Sequence, residues 1–374
     1  MPFFQPFALE RYFAEHEFSA RYLLSSSDCE TMSTRELLAM EPGAESRYLD
    51  HRLGYTETRG SPGLRADLAR LYEGLGPESV LVHAGAEEAI LNFCIAALSP
   101  GDHVVVNSPC YQSLSEIPRA LGCAVDLWPL REEGGRWAFD TDALARLLVP
   151  KTRLVVLNAP HNPTGALPTR EEFDGIVALC AKAGAILFFD EVYRHLELDP
   201  GRRLPAACDA YENGVSLGVL SKSAGLAGLR IGWIATRRAD ILDAVATVKD
   251  YNSICSSAPS EFLAGVAARQ FDRLVARSRG IIETNLGALT GFFARKRGIL
   301  SWTTPEGGSI GYPKFADGRD AEALSRRLVA EAGVMILPGS CYSDSPSSFR
   351  LGFGRANMPQ ALAAFEAWLD GATA

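Results

Sequence analysis

Between about residue 80 and residue 236, short apolar β-branched runs alternate with longer segments of helical periodicity, and this alternation restricts the chain to few architectures. Repeated strand, crossover helix and strand units build a mostly parallel sheet covered by helices on both faces. The runs predict strands over 103–106, 153–157, 185–189, 215–220 and 232–235, with helices over 85–98, 116–121, 140–148 and 169–183. Thr169, with Glu172 three residues on, reads as a capping box at the head of the last of these. From about 240 to 297 the pattern is helical; after Thr303 it returns to short strands and one helix around 321–331. The expectation is an α/β fold with a large domain over 40–285 and a smaller α+β domain made of 1–39 and 286–374. Two early helical pieces, 10–15 and 34–38, are expected to pack with the tail.

Charge narrows the partners. With 37 Lys and Arg against 45 Asp and Glu, the chain carries a formal net charge of -8, which speaks against nucleic acid or an anionic membrane. The eight cysteines are scattered, with no C-x-x-C pair, so no metal site is expected and free thiols in a reducing cytoplasm are the plain reading. The opening Met1-Pro2-Phe3-Phe4-Gln5-Pro6 lacks the pattern of a secretory signal, and no run is apolar enough to span a bilayer. A cytoplasmic location is expected.

In open α/β sheets, ligands bind beyond the carboxyl ends of the strands, so the residues just after each predicted strand matter most. After Leu157 comes Asn158-Ala159-Pro160-His161-Asn162-Pro163-Thr164-Gly165; after Phe189, Asp190-Glu191-Val192-Tyr193; after Leu220, Ser221-Lys222. An amide, a carboxylate, a phenol and an amine would converge there. Gly85-Ala86-Glu87 opens a predicted helix whose free N–H groups suit a phosphate. Arg230, eight residues after Lys222, would pair with the same phosphate. Tyr111 offers an aromatic face for a flat ring.

Singly, these residues have ordinary readings: Asp190 as a helix N-cap, Asn162 to Gly165 as a turn, Tyr111 and Tyr193 as core residues, Arg230 in a surface pair. Taken together they suit pyridoxal 5′-phosphate, which presents an aldehyde to an amine, a ring nitrogen to a carboxylate, a ring oxygen to amide and phenol donors, and a phosphate. At about 4 Å and an effective dielectric near 20, a carboxylate stabilises a pyridinium by roughly 4 kcal/mol, about three pKa units. Asp190 in that place would keep the ring an electron sink.

On these motifs the chain resembles the fold-type I pyridoxal-phosphate enzymes of the class I/II aminotransferase group, over nearly its whole length. The resemblance implies that Lys222 forms the Schiff base, that Asp190 binds the ring nitrogen, and that Asn162 and Tyr193 bind the ring oxygen. It further implies that Tyr111 stacks on the ring and that Gly85, Ala86, Glu87, Ser221 and Arg230 surround the phosphate. Arg350, in Ser348-Phe349-Arg350-Leu351-Gly352-Phe353, matches the arginine that clamps a substrate carboxylate. Tyr55, in Gly54-Tyr55-Thr56, matches a tyrosine that reaches the neighbouring subunit's phosphate, which implies at least a homodimer.

The chain departs from the family in two places. Val219 stands where many relatives carry a serine, costing the phosphate a donor, and Gly307-Gly308-Ser309-Ile310-Gly311 replaces a bulkier run. The second departure is similar to a branch containing capreomycidine synthase, as is Ser25-Ser26-Ser27-Asp28-Cys29, which places Ser26 toward substrate. Two activities stay open: an aminotransferase (transaminase) moving an amino group from an L-amino acid to a 2-oxo acid, and a lyase performing elimination or cyclisation on a β- or γ-substituted, guanidino-bearing amino acid. A non-catalytic regulator would be marked by loss of the lysine, which is present. A nicotinamide dehydrogenase is disfavoured because Gly225, Gly228 and Gly232 have the wrong spacing.

Overall fold

Seven strands form the central sheet of the computed structural model, which describes residues 3–372. They are β1 (Val80–His83), β2 (His103–Ser108), β3 (Ala124–Pro129), β4 (Thr152–Asn158), β5 (Ile186–Asp190), β6 (Gly214–Val219) and β7 (Gly232–Thr236), in the order β1-β7-β6-β5-β4-β2-β3. Only β7 runs against its neighbours. Strands β5 and β6 are buried at every residue, as a sheet covered on both faces requires. Alternate residues enter opposite layers: Leu154, Val156, Ile186 and Phe188 join one apolar cluster, while Val155, Leu157, Leu187 and Phe189 join another.

The five predicted strands are present; β1 and β3 are additional. The helices Ala86–Ala97, Ser113–Ala120, Thr141–Leu147 and Arg170–Ala183 lie where periodicity placed them, the last with the Thr169–Glu172 capping box formed. The helical stretch after β7 is three helices, Ala239–Asp250, Ala258–Arg269 and Phe271–Arg295.

The tail carries a three-stranded antiparallel sheet of Ile310–Gly311, Phe349–Gly352 and Leu337–Pro338. It has two long helices, Ala321–Ala332 and Met358–Ala372, where one was expected. Ala361, Leu362, Phe365 and Leu369 recur at helical spacing and are buried, so the second helix has an amphipathic reason to form. At the other end of the chain, helix Ala8–His16 buries Leu9 and Tyr12 against Tyr312, Met335, Leu337, Cys341 and Tyr342. Tyr22–Leu23 pairs in parallel with Val334–Met335. Helix Thr34–Leu38 goes elsewhere: Leu37 and Leu38 are buried with Leu64, Leu68 and Leu263 rather than with the tail.

Candidate active site

The register of β4, β5 and β6 sets the site, because Asn158 lies opposite Asp190, and Asp190 opposite Leu217, at the carboxyl ends of adjacent parallel strands. Asn158 ties the following loop down: its Nδ2 donates to the Asp190 carbonyl at 3.0 Å, and its Oδ1 accepts from the Asn162 backbone N–H at 2.7 Å. Asn162 is thereby fixed beside Asp190. Beyond β6, the chain turns so that Leu226 N–H reaches the Leu220 carbonyl, and Lys222 projects from this turn. Its Nζ donates to Ser27 Oγ at 2.8 Å and lies 5.8 Å from the centre of the Tyr193 ring.

These groups surround a cavity of about 340 Å³. Of the residues singled out in the sequence, Ser26, Ala86, Glu87, Tyr111, Asn162, Asp190, Tyr193, Ser221, Lys222, Arg230 and Arg350 line it, with Val219 among them. Gly85 lies behind Arg230: at φ 94 it occupies backbone space that L side chains avoid, and a Cβ there would sit 2.6 Å from Arg230 Nη2. Glycine therefore lets the guanidinium lie against the start of helix Ala86–Ala97. Tyr55 is elsewhere, 92% exposed. A larger void of about 530 Å³, lined by Trp137, Trp302, Tyr312 and Tyr342, holds none of the converging groups.

Arg350 is 2% exposed, and four of its five N–H donors are engaged. Nε and Nη2 donate to the Ser25 carbonyl at 3.2 and 2.8 Å, while Nη1 donates to Tyr342 Oη at 2.6 Å and to Asn162 Oδ1 at 3.3 Å. Tyr342 also donates to Asn162 Oδ1 at 2.8 Å. With its oxygen taken by two donors, Asn162 has its Nδ2 left to donate. The Ser25 segment approaches because Gly352 N–H donates to the Leu24 carbonyl at 2.6 Å, and any Cβ on Gly352 would lie 1.7 Å from the Ser26 carbonyl oxygen. Ser309 supports the same segment, donating to the Ser27 carbonyl at 2.9 Å, and Gly308, at φ 82, supplies the left-handed bend beside the Tyr193 ring.

Electrostatics match a site built for a polar ligand. Burial pushes the Asp190 carboxyl up to about 7, against the Val192 N–H and the Lys222 charge, which pull it down. Burial lowers Lys222, which Asp28 partly offsets. Glu87, accepting from Ser113 Oγ at 3.2 Å, is likewise pushed up to about 7 by burial. The Tyr193 hydroxyl is buried without a hydrogen-bond partner.

Sequence reasoning did not single out Ser27 as the partner of Lys222, nor Tyr342, nor the Asp28–Arg355 pair at the cavity wall, joined at 3.0 and 3.1 Å. The alternate glycines Gly352 and Gly354 were the available signal, since glycine inside a strand marks close backbone approach.

The family of aminotransferases class I and II matches residues 23–365, and the chain belongs to it. Among similar proteins, capreomycidine synthase of Streptomyces vinaceus is 33% identical over 95% of this chain and 92% of its own. The crystal structure of a PLP-dependent aminotransferase from Streptococcus suis 89-1591 superposes with a TM-score of 0.92 at 30% identity, covering 98% of both chains. The PLP-dependent cyclase OrfR superposes with a TM-score of 0.90 at 29% identity, covering 98% of this chain and 97% of that one. The fold is fold-type I, the protein is a pyridoxal-phosphate-dependent enzyme, and its cofactor is pyridoxal 5′-phosphate.

The residues present fit that group. The Tyr193 hydroxyl is unpartnered, Asp190 is a buried carboxylate with one hydrogen bond, and helix Ala86–Ala97 begins without a side-chain cap beside the Arg230 guanidinium. Among the described residues, no helix is long and apolar enough to cross a membrane.

Proposed function

We propose that the enzyme transfers an amino group from an L-amino acid to a 2-oxo acid, using Lys222 as the amine that carries the cofactor and moves the substrate's α-proton. The observation that carries this reading is the half-buried Lys222 beside Asp190 at the carboxyl ends of β5 and β6, with a hydroxyl rather than a carboxylate as its hydrogen-bond partner. Burial lowers its pKa, which a group that must act as a base at neutral pH needs. The cofactor supplies an electron sink when bound.

In this reading Asp190 holds the ring nitrogen charged, and the Tyr193 hydroxyl and Asn162 Nδ2 donate to the ring oxygen. Tyr111 covers one ring face. Ala86 and Glu87 offer helix N-terminal N–H groups to the phosphate, with Ser221 and Arg230; Val219 contributes no donor. Arg350 takes the substrate carboxylate, and Ser26 and Asn162 border it. Residues 40–285 form the cofactor-binding domain, with helix Thr34–Leu38 packed on it, and 1–33 with 286–374 form a smaller one. The working unit is a homodimer in which Tyr55 serves the neighbouring site. Its free thiols suit the reducing cytoplasm.

A second reading, elimination or cyclisation, is favoured by the relatives named capreomycidine synthase and cyclase. One experiment separates the two: product analysis by mass spectrometry with and without a 2-oxo acid. Turnover that requires the 2-oxo acid and returns the matching amino acid supports transfer. Turnover without one, with loss of water or ring closure, replaces that reading with the second.

A further inference from the structure

The segment that carries Tyr55 has little of its own to hold it in place. Residues 51–57 form neither helix nor strand, and Leu53 and Tyr55 stand 83% and 92% exposed. An irregular, exposed arm of this kind takes its order from the tethers at its base. There, Thr56 Oγ1 donates to Glu261 Oε1 at 3.0 Å, Thr58 Oγ1 to Asp250 Oδ1 at 2.9 Å and the Ser61 N–H to Glu261 Oε2 at 2.8 Å, and Arg59 pairs with Asp243.

Lys249 is different in kind. It stands in the last turn of helix Ala239–Asp250, is fully buried, and its Nζ donates to the Thr58 carbonyl at 2.7 Å, to the Val82 carbonyl at 2.7 Å and to Ser256 Oγ at 3.4 Å. None of the three is a carboxylate, so the cation has left water without an opposite charge in contact, a cost that an apolar side chain of similar length would spare. What the ammonium does there is geometric. Thr58 belongs to the arm and Val82 to β1, and the two lie flush: the Val82 N–H donates to the Arg59 carbonyl at 3.0 Å, and a Cβ on Gly60 would sit 2.4 Å from Val82 Cγ2. Two carbonyl oxygens aimed at one point repel each other, and a positive group with three donors between them turns that repulsion into a joint. Of the side-chain tethers at the base, Lys249 alone reaches both the arm and the sheet. The strand it reaches, β1, is the one that leads into Gly85 and helix Ala86–Ala97.

We infer that Lys249 is a positioning residue: it locks the base of the Tyr55 arm to β1 and so sets where Tyr55 stands for the neighbouring subunit. The inference rests on the reading of Tyr55 as part of the neighbouring cofactor site. In Lys249→Met the two carbonyls and the hydroxyl lose their donor, and the arm, lying outside the sheet, is the part that moves away.

The test combines equilibrium titration with pyridoxal 5′-phosphate and hydrogen exchange of the cofactor-loaded enzyme read by mass spectrometry, on wild type, Tyr55→Ala, Lys249→Met and the double variant. Lys249→Met should weaken cofactor binding at least fivefold and speed exchange across residues 51–60 at least tenfold, with residues 186–190 and 214–219 unchanged. In the Tyr55→Ala background the same substitution should cost less than twofold in cofactor affinity, since the arm then carries nothing to position. Lys249→Gln, which keeps a donor on a shorter stem, should show the same changes at reduced size. Unchanged cofactor affinity in Lys249→Met, a loss that multiplies in full with that of Tyr55→Ala, exchange that rises across the central sheet as well, or failure of both lysine variants to fold would overturn the inference. Tyr55→Ala binding cofactor as tightly as wild type would remove the reading of Tyr55 on its own, and exchange over residues 51–60 would then decide separately whether Lys249 holds the arm.

Discussion

Lys222 Nζ donates to Ser27 Oγ at 2.8 Å, joining the turn after β6 to a segment 195 residues earlier in the chain. The amine is therefore aimed by the N-terminal segment as well as by its own turn. Lys222→Ala should abolish covalent cofactor attachment and lower turnover by at least the 10²–10⁴-fold, roughly, that a positioned acid–base contributes. Ser27→Ala removes one hydrogen bond, about 1 kcal/mol, and should cost only several-fold. Borohydride trapping and steady-state kinetics on both variants check this; full activity in Lys222→Ala would remove the lysine from the chemistry.

Asp190 gives a pH signature. Its carboxyl is held by burial at about 7, above its ordinary 3.8, so the neutral form stabilises the fold. That contribution is present in full below about pH 4 and is lost as pH rises through about 7, at a cost on the order of a few kcal/mol. The cofactor-free Asp190→Asn variant should therefore melt several degrees above cofactor-free wild type at pH 8, with the gap narrowing by pH 5 and closing only below about pH 4. With cofactor bound the order should reverse, since only a carboxylate stabilises the charged ring, and activity should fall by about 10³-fold. Thermal denaturation of both forms across pH, with activity assays, decides it.

Which parts of this site were legible in the sequence follows from chain distance. Asp190, Asn162 and Lys222 could be found because each lies within a few residues of a strand end, and the strand itself is a local pattern. Strand β3 escaped because it is an edge strand carrying Asp126 and Pro129 and is mostly exposed, so it lacks the buried run that marked β5 and β6. Strand β1 is only four residues long. Ser27 reaches the cavity, and Tyr342 meets Asn162 across 180 residues behind its wall, only through tertiary closure, and no local window carries that information.

Arg350 tests the substrate clamp. Its guanidinium is buried and shared among the Ser25 carbonyl, Tyr342 and Asn162, so a planar fork with several donors is required. Arg350→Lys should lower kcat/KM substantially, by the roughly 2–5 kcal/mol typical of a truncated buried charge contact, mainly through KM. Tyr342→Phe should cost less, because it removes one donor and leaves the charge. Kinetics with an amino acid and with its decarboxylated amine check the assignment: the amine's turnover should be nearly insensitive to Arg350→Lys. Equal losses for both substrates would mean that the arginine acts structurally.

Tyr55 is 92% exposed, and Leu53, Leu49, Tyr251 and Ile254 are exposed with it, at 83%, 77%, 92% and 54%. So many large apolar groups in solvent are costly in a monomer and are the composition of a covered interface. Sedimentation should give a homodimer. Tyr55→Ala should weaken cofactor retention by the roughly 1.5–3 kcal/mol of a hydrogen bond to a charged group. The decisive measurement is complementation at limiting cofactor. A mixed dimer of a Tyr55→Ala subunit and a Lys222→Ala subunit has one site with both residues intact if Tyr55 acts across the interface, and none if it acts within its own chain. Randomly exchanged subunits should then recover about one quarter of wild-type activity from two poorly active parents. No recovery would place Tyr55 outside the neighbouring site.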